Sequence, residues 1–176
     1  SPYLTIYKRT GDTFTKLPDP SGLPGSTANA VAFSPDGTYL AVGFSKFPYL
    51  IVYKRDGDTF TKLPNPSVLP TGNGNGAAFS PDGNYLAVAH SNSPYLTIYK
   101  RTGDTFTKLP NPSVLPSNAG RGVAFSPDSS YLAVAYHSSP YLIIYKRTDD
   151  TFTKLLDPST LPPNIAYGVA FSPDGN

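Results

Sequence analysis

Few side chains in this sequence are of the types that catalyse reactions or bind metal ions. The chain has no cysteine and two histidines, His90 and His137. Counted from the Pro-Tyr-Leu motifs that begin at Pro48 and Pro94, these histidines lie at neighbouring positions of a repeat and not at the same position. They therefore cannot form a repeated ring of ligands, and a metal site needs several ligands that converge. We assign both a structural or surface role, and we expect neither a metal site nor a cofactor.

The carboxylates that recur most regularly stand in Ser-Pro-Asp turns, and they are Asp36, Asp82, Asp128 and Asp174. Turns favour Asp because its side chain hydrogen-bonds the backbone of the turn. Acid–base catalysis by paired carboxylates needs unlike environments, whereas near-copies of one turn offer like ones. The glycine-rich run Gly72–Gly76 superficially resembles a phosphate-binding loop. Such a loop precedes a helix, whereas this run precedes a predicted strand, so we do not expect it to bind phosphate. No nucleophile with an adjacent base stands out, so we expect that the protein is not an enzyme.

The charge of the chain gives no reason to expect a nucleic acid or a membrane as partner. The net charge of +2 is too small to attract polyanions strongly. A Lys-Arg pair recurs four times, and an Asp follows each pair within a few residues, which predicts strand ends whose charge is balanced locally. No stretch approaches the ~18 apolar residues of a membrane-spanning helix.

The chain is built from a repeat of 46 residues. Pro-Tyr-Leu begins at positions 2, 48, 94 and 140, and Phe-Ser-Pro-Asp begins at positions 33, 79, 125 and 171. Full units cover residues 2–47, 48–93 and 94–139, and a shorter unit covers 140–176. Because stacked repeats share a continuous core, we treat residues 1–176 as a single domain or a segment of one.

Each unit contains four predicted strands, recognised by period-two alternation and by β-branched and aromatic residues. The clearest examples are Gly122–Ser126, Tyr131–Ala135, Tyr95–Tyr99 and Thr105–Leu109. Proline-rich segments such as 110–116 cannot be central strands, since proline lacks the N–H that a ladder needs. Four antiparallel strands in about 46 residues predict an all-β fold, a β-propeller with about four blade equivalents. A β-solenoid is the alternative, but its repeats are usually shorter.

The motif Val-Ala-Phe-Ser-Pro-Asp-Gly, then Tyr-Leu-Ala-Val, then Leu-Thr-Ile-Tyr-Lys, resembles the WD40-like β-propeller repeat over essentially the whole chain. The layout is also similar to lactonase-type propellers and to the highly similar tandem blades of bacterial and bacteriophage proteins. Tyr-Lys stands where a WD40 repeat has Trp-Asp, and no Gly-His precedes the first strand. The resemblance implies a binding or structural scaffold, and it transfers no WD40 binding residue to this chain.

The blades differ chiefly before the first strand and between the second and third strands. In an antiparallel meander both of these loops open on one rim of the disc, and binding residues lie preferentially on such loops. The predicted ligand-binding residues are Phe44, Lys46, Asn75, His90, Asn92, Arg121, Tyr136, His137 and Tyr167. Such side chains suit a carbohydrate or a protein partner. We expect a non-catalytic scaffold, and the alternatives are a lectin-like propeller and a lactonase-like hydrolase. Neutral sequence drift at tolerant loop positions explains the differences between the blades equally well.

The strand count predicts association at the two ends of the chain. Tyr3–Tyr7 and Thr13–Leu17 are a third and a fourth strand, three complete blades follow, and Val169–Phe171 is one more first strand, which makes 2 + 12 + 1 = 15 strands. Four closed blades need 16, so a second strand is missing between the ends. Unpaired apolar edges invite pairing with another chain. The predicted self-association residues are Tyr3, Leu4, Ile6, Val169 and Phe171. Two such chains head to tail would form a closed ring of about eight blade equivalents. The alternatives are a strained four-bladed monomer or an arc cut from a longer protein, and a chain that opens on Ser1-Pro2 without Met fits a piece of a longer protein.

Overall fold

The computed structural model describes residues 2–175, and within them every regular element is a β-strand, so there is no helix that could cross a membrane. The prediction of an all-β propeller of about four blade equivalents is confirmed. The strands are β1 Tyr7–Thr10, β2 Thr13–Lys16, β3 Ala28–Phe33, β4 Tyr39–Phe44, β5 Leu50–Asp56, β6 Thr59–Lys62, β7 Gly74–Phe79, β8 Tyr85–His90, β9 Leu96–Thr102, β10 Thr105–Lys108, β11 Gly120–Phe125, β12 Tyr131–Tyr136, β13 Leu142–Thr148 and β14 Thr151–Lys154.

The strands form three antiparallel blades and one hairpin. The sheet orders are β3-β4-β5-β6, β7-β8-β9-β10 and β11-β12-β13-β14, and β1 pairs only with β2. The first strands of successive blades lie side by side, because a Cβ placed on Gly76 of β7 would be 2.7 Å from the carbonyl oxygen of Arg121 in β11. Backbones that approach so closely require glycine at this position. The first strands are therefore the innermost ones, as predicted.

The second strands of the first two complete blades, β4 and β8, each contribute to two cores. All six residues of β4 are buried. Leu40 and Val42 pack in one cluster with Leu4, which precedes the β1–β2 hairpin, whereas Tyr39 and Ala41 pack against the next blade. Because both faces of the strand are covered, both sets of alternating side chains are apolar or aromatic. Packing between blades thus supplies much of the buried area that one 46-residue sheet lacks.

The tyrosine that stands in place of the WD40 tryptophan has a structural function in every complete blade. Tyr53, Tyr99 and Tyr145 are fully buried. Their hydroxyls donate hydrogen bonds of 2.9 to 3.0 Å to backbone oxygens in the proline-rich connection that precedes each first strand. Burial raises the pKa of Tyr53 to about 12, since it disfavours the phenolate. This hydrogen bond fixes the outer connection to the blade.

Charged residues near the Ser-Pro-Asp turns pair between blades, so the prediction of local charge balance is wrong. We call this face of the disc, which carries the Ser-Pro-Asp turns and the hairpins between third and fourth strands, the hairpin rim. Lys54 binds Asp104 of the next blade at 2.7 Å, and Lys100 binds Asp150 in the same way.

Both predicted end strands differ from the prediction. β1 begins at Tyr7 and not at Tyr3, and Val169–Phe171 forms no strand, so the described residues contain 14 strands and not 15. The segment near Gly168 still lies beside β11, because a Cβ on Gly122 would be 2.9 Å from the Gly168 Cα. The equivalent segments form strands elsewhere because a second strand pairs with them. At both ends of this chain that strand is missing.

Candidate functional site

The two variable loops of each blade lie together on the face opposite the hairpin rim. The amide of Ser45 donates to the Thr27 oxygen at 3.0 Å, and the amide of Ser91 donates to the Asn73 oxygen at 3.1 Å. The amide of His137 makes the same bond in the third blade. We call the face formed by residues 26–30, 45–49, 72–76, 91–95, 118–122, 137–141 and 164–168 the variable rim.

A β-bulge at the start of each first strand turns one side chain toward the neighbouring blade. The register shifts between Ala28 and Ala30, and equally in the other two blades, so one residue has no partner opposite it. These residues are Asn29, Asn75 and Arg121. The Asn75 side-chain amide donates to the Gly120 oxygen at 2.9 Å, and Asn29 donates to the equivalent Gly74 oxygen at 3.3 Å. Asn29 was not among the predicted residues, although it lies 46 positions before Asn75.

Arg121 and Tyr167 form a cation–aromatic pair on the variable rim. The Arg121 guanidinium carbon lies 5.8 Å from the centre of the Tyr167 ring, and Tyr167 is 70% exposed. Asn29, Asn75, Arg121 and Tyr167 occupy one repeat position, each 46 residues after the last. The Arg121 Nε is buried and has no hydrogen-bond partner among the described residues. A guanidinium beside an exposed aromatic ring can bind a planar or hydroxyl-rich ligand.

Three of the nine predicted residues lie inside the blades and not at the rim surface. Phe44, His90 and Tyr136 are each at most 3% exposed. The three are equivalent, because each is the last residue of a second strand. In each second strand, alternate residues point to the same face of the sheet. Phe44 therefore lies on the same buried face as Leu40 and Val42. They support the loops from below.

His90 is the polar member of this buried set. Its Nε2 lies 2.9 Å from the Thr97 hydroxyl, and its Nδ1 has no partner among the described residues. Burial lowers the pKa of His90 to about 4, because the imidazolium would lose its hydration there. The ring is therefore neutral at neutral pH, and it does not face the solvent.

The remaining predicted residues Lys46, Asn92 and His137 are exposed on the variable rim. The Asn92 amide donates to the Thr71 oxygen at 3.1 Å, which joins the two loops of the second blade. Phe47 was not predicted, yet it is 75% exposed and contacts the Tyr49 ring edge-on at 6.2 Å. The sequence shows that position 47 varies between the blades, because serine occupies the equivalent positions 93 and 139. This variation could have identified Phe47 as a candidate residue.

The turn carboxylates do what turn chemistry predicts. Each accepts a hydrogen bond of 2.5 to 2.6 Å from the serine two residues before it, as Asp36 does from Ser34. Asp36 also accepts from the amide of Thr38, and these two bonds lower the pKa of its carboxyl group. Within residues 2–175, no three His, Cys, Asp or Glu residues come together as a metal site would require.

Comparison with known proteins supports the fold. Residues 21–46 match the family described as WD domain, G-beta repeat. No curated protein sequence matches the chain. Similar solved structures include a hydrazine synthase of Kuenenia stuttgartiensis, with 19% identity, a TM-score of 0.66, and 89% of this chain aligned to 42% of that one.

Two further structures have the same similarity of fold. A protein from Lactobacillus plantarum has 18% identity and a TM-score of 0.71 over 92% of this chain and 50% of its own. A "putative 6-phosphogluconolactonase" from Bacteroides uniformis has 15% identity and a TM-score of 0.67 over 97% of this chain and 55% of its own. The chain thus spans about half of each matched structure. The resemblance to WD40-like and lactonase-type propellers is confirmed at the level of fold. The similarity to bacterial and bacteriophage tandem blades stays a prediction.

Proposed function

We propose that this chain is a non-catalytic β-propeller scaffold that engages a ligand through its variable rim. The observation that supports this most is the contrast between the two rims. On the hairpin rim the same polar residues recur in each blade and bind each other between blades. On the variable rim the residues at one repeat position change from Asn29 and Asn75 to Arg121 and Tyr167, and the Tyr167 ring is 70% exposed.

A protein or a carbohydrate fits this rim. WD40 propellers commonly mediate protein interactions, and exposed aromatic rings beside Arg are enriched where proteins meet. A lectin-like function is the second candidate, and the 70% exposed ring of Tyr167 supports it, because a flat apolar face with adjacent donors suits a sugar ring.

A lactonase-like hydrolase has less support than a scaffold. Such an enzyme would need convergent polar ligands, and apart from the bulge residues Asn29, Asn75 and Arg121 the innermost strands consist of Gly, Ala, Val and Phe. The likeness to the lactonase-type structure is one of fold at 15% identity, and it transfers no active-site residue.

The rim is tested with two matched variants on a glycan array and a protein array. Arg121→Ala/Tyr167→Ala removes the exposed pair of the variable rim, and Arg9→Ala/Tyr131→Ala removes the same residue types from the hairpin rim. We expect ligands detected with the unchanged chain to be lost with the first variant and retained with the second. Equal loss with both variants, or turnover of lactones or sugar esters that the first variant abolishes, would contradict the proposal.

We also propose that the chain associates with copies of itself through its edges at Tyr3, Leu4, Ile6, Val169 and Phe171. The uncovered apolar face beside the first edge supports this. Phe33 is 49% exposed, whereas its equivalents Phe79 and Phe125 are 8% exposed. Light scattering across a dilution series tests it, with about twice the 18.8 kDa chain mass expected. A mass of one chain at every concentration would refute self-association.

A further inference from the structure

At both junctions between complete blades, a tyrosine from the second strand of one blade inserts into a socket on the next blade. The Tyr39 hydroxyl donates to Asp104 at 2.6 Å, its ring meets Phe106 edge-on at 5.8 Å, and the Arg101 guanidinium lies 5.0 Å from the ring centre. Tyr85 has the same contacts in the following blade, at 2.6, 5.9 and 4.8 Å. The socket residues are thus an Asp, an Arg and two Phe, the second being Phe79, which packs on Phe106.

The first complete blade has the same socket without its tyrosine. Subtraction of 46 from the socket residues of the second blade gives Asp58, Arg55, Phe60 and Phe33. Phe33 and Phe60 pack edge-on at 6.1 Å, and Lys8 binds Asp58 at 2.7 Å, as in the filled sockets. A cavity of about 390 Å³ lined by Arg55, Phe60, Phe33 and their neighbours occupies the place of the ring. The described residues therefore form this socket, and no side chain among residues 2–175 fills it.

The arginine of the open socket has a different hydrogen bond from those of the filled sockets. Arg101 and Arg147 lie over a tyrosine ring, and their Nε groups donate to the Ser-Pro-Asp turn of their own blade at 2.7 Å. The Arg55 Nε instead donates to Gly57 in its own hairpin at 2.8 Å. The Arg101 guanidinium also donates to the equivalent hairpin oxygen, that of Gly103, but through Nη1 and at 3.4 Å.

The backbone beside the open socket is also incomplete. Leu50–Val52 of β5 pair with β4, whereas the equivalent residues 4–6 pair with no strand on that edge. A second cavity of about 370 Å³ lies along this edge and is lined by Leu4, Ile6, Val31 and Phe33 among others. Val31 is 58% exposed. The open ladder edge, the apolar groove and the tyrosine socket thus adjoin one another, because Ile6, Tyr7 and Phe33 line both cavities.

We propose that this groove binds an extended strand with the sequence of the chain's own second strands, Tyr-Leu-Ala-Val. The internal junctions show the occupant of the equivalent groove twice. From the β4–β5 register, the tyrosine of the bound strand pairs opposite Lys8 and its alanine opposite Ile6. The hydroxyl donates to Asp58, and Arg55 moves over the ring. This goes beyond the proposed self-association, because it names what the N-terminal edge accepts, and the three described second strands β4, β8 and β12 are already paired inside complete blades.

The probe is a fluorescent peptide with the sequence of residues 82–91, Asp-Gly-Asn-Tyr-Leu-Ala-Val-Ala-His-Ser, measured by anisotropy against the whole chain. A second peptide carries Tyr85→Phe, which removes only the hydroxyl. The chain is used unchanged, as Asp58→Ala, and as Asp104→Ala, whose socket is already filled by Tyr39. Asp58 is about half exposed, so its variant should fold, and the phenylalanine peptide tests the hydroxyl without any change to the protein.

We expect the tyrosine peptide to bind the unchanged chain and the Asp104→Ala chain alike. Loss of the hydroxyl or of Asp58 should each weaken binding about tenfold, or about 1.4 kcal/mol, and loss of both should weaken it no further than either alone. Equal affinity of both peptides, or no binding, would overturn the proposal. A chain that light scattering shows to be dimeric, and that excludes the peptide, would overturn it while leaving self-association in place. Binding by a chain with the mass of one copy would support it and refute self-association.

Discussion

The other two complete blades carry an aromatic residue and isoleucine at the positions of the buried His90–Thr97 pair, so these residues can be exchanged between blades. The equivalent pairs are Phe44 with Ile51 and Tyr136 with Ile143, and in each case both side chains belong to one buried cluster. The double variant His90→Phe/Thr97→Ile therefore places the residues of the first blade in the second. It replaces both hydrogen-bonding partners by apolar groups and removes the unpartnered His90 Nδ1.

The magnitude follows from the pKa of His90, which burial lowers from 6.5 to about 4. The unfolded chain binds a proton at this histidine below pH 6.5, whereas the folded chain does so only near pH 4. Unfolding thus takes up one proton between these values, and the free energy of unfolding falls as the pH falls. Over 2.5 pH units this loss amounts to about 3 kcal/mol.

Urea unfolding followed by circular dichroism, at intervals from pH 7 to pH 4, measures this difference. The double variant should be at least as stable as the unchanged chain at pH 7, since replacing both partners together is close to neutral. The stability difference should then widen in favour of the variant by about 3 kcal/mol toward pH 4. His137→Ser is the matched control, because His137 is exposed and serine occupies its equivalents. Parallel stability curves for the double variant and the unchanged chain would refute the reasoning.

Two further pairs of substitutions test the packing between blades. Gly76→Ala should lower the free energy of unfolding by about 1–3 kcal/mol, because its Cβ would lie 2.7 Å from the Arg121 carbonyl oxygen. Gly25→Ala is the control and should change the free energy of unfolding little, because its Cβ would have no atom within 4 Å. Chemical denaturation of both variants measures the difference. Phe79→Ala should lower the free energy of unfolding by about 3–5 kcal/mol, and Phe33→Ala should lower it clearly less, because Phe79 is 8% exposed and Phe33 is 49% exposed. Equal losses in the same assay would mean that the face at Phe33 is covered in solution.

The fold could be predicted from the sequence because every local signal is repeated. Alternation, turn chemistry and the 46-residue period all indicate the same blade, and the hairpin glycines Gly57 and Gly103 have the positive φ that their turns require. The end strands could not be predicted in the same way. Leu4–Ile6 has the pattern of Leu50–Val52, but a ladder also needs a neighbour, and the local sequence does not contain it.

The candidate site was predicted in part. The antiparallel meander predicted where the variable rim lies, but it did not predict which of the candidate residues are buried beneath the surface of that rim. Phe44, His90 and Tyr136 end strands whose alternation already marks them as buried, and this signal was outweighed by the variation among them. The tyrosine sockets were missed because Tyr39 and Asp104 are separated by 65 residues and meet only when one blade packs on the next. No single repeat reveals that contact.

Hydrogen–deuterium exchange, compared between the free chain and the chain saturated with the tightest ligand found on the arrays, tests the role of the variable rim most directly. The scaffold proposal predicts that protection on binding is concentrated in residues 26–30, 45–49, 72–76, 91–95, 118–122, 137–141 and 164–168. Exchange at the Ser-Pro-Asp turns of the hairpin rim should stay unchanged. Protection confined to the hairpin rim or to the innermost strands would contradict the proposal and place the ligand elsewhere on the propeller.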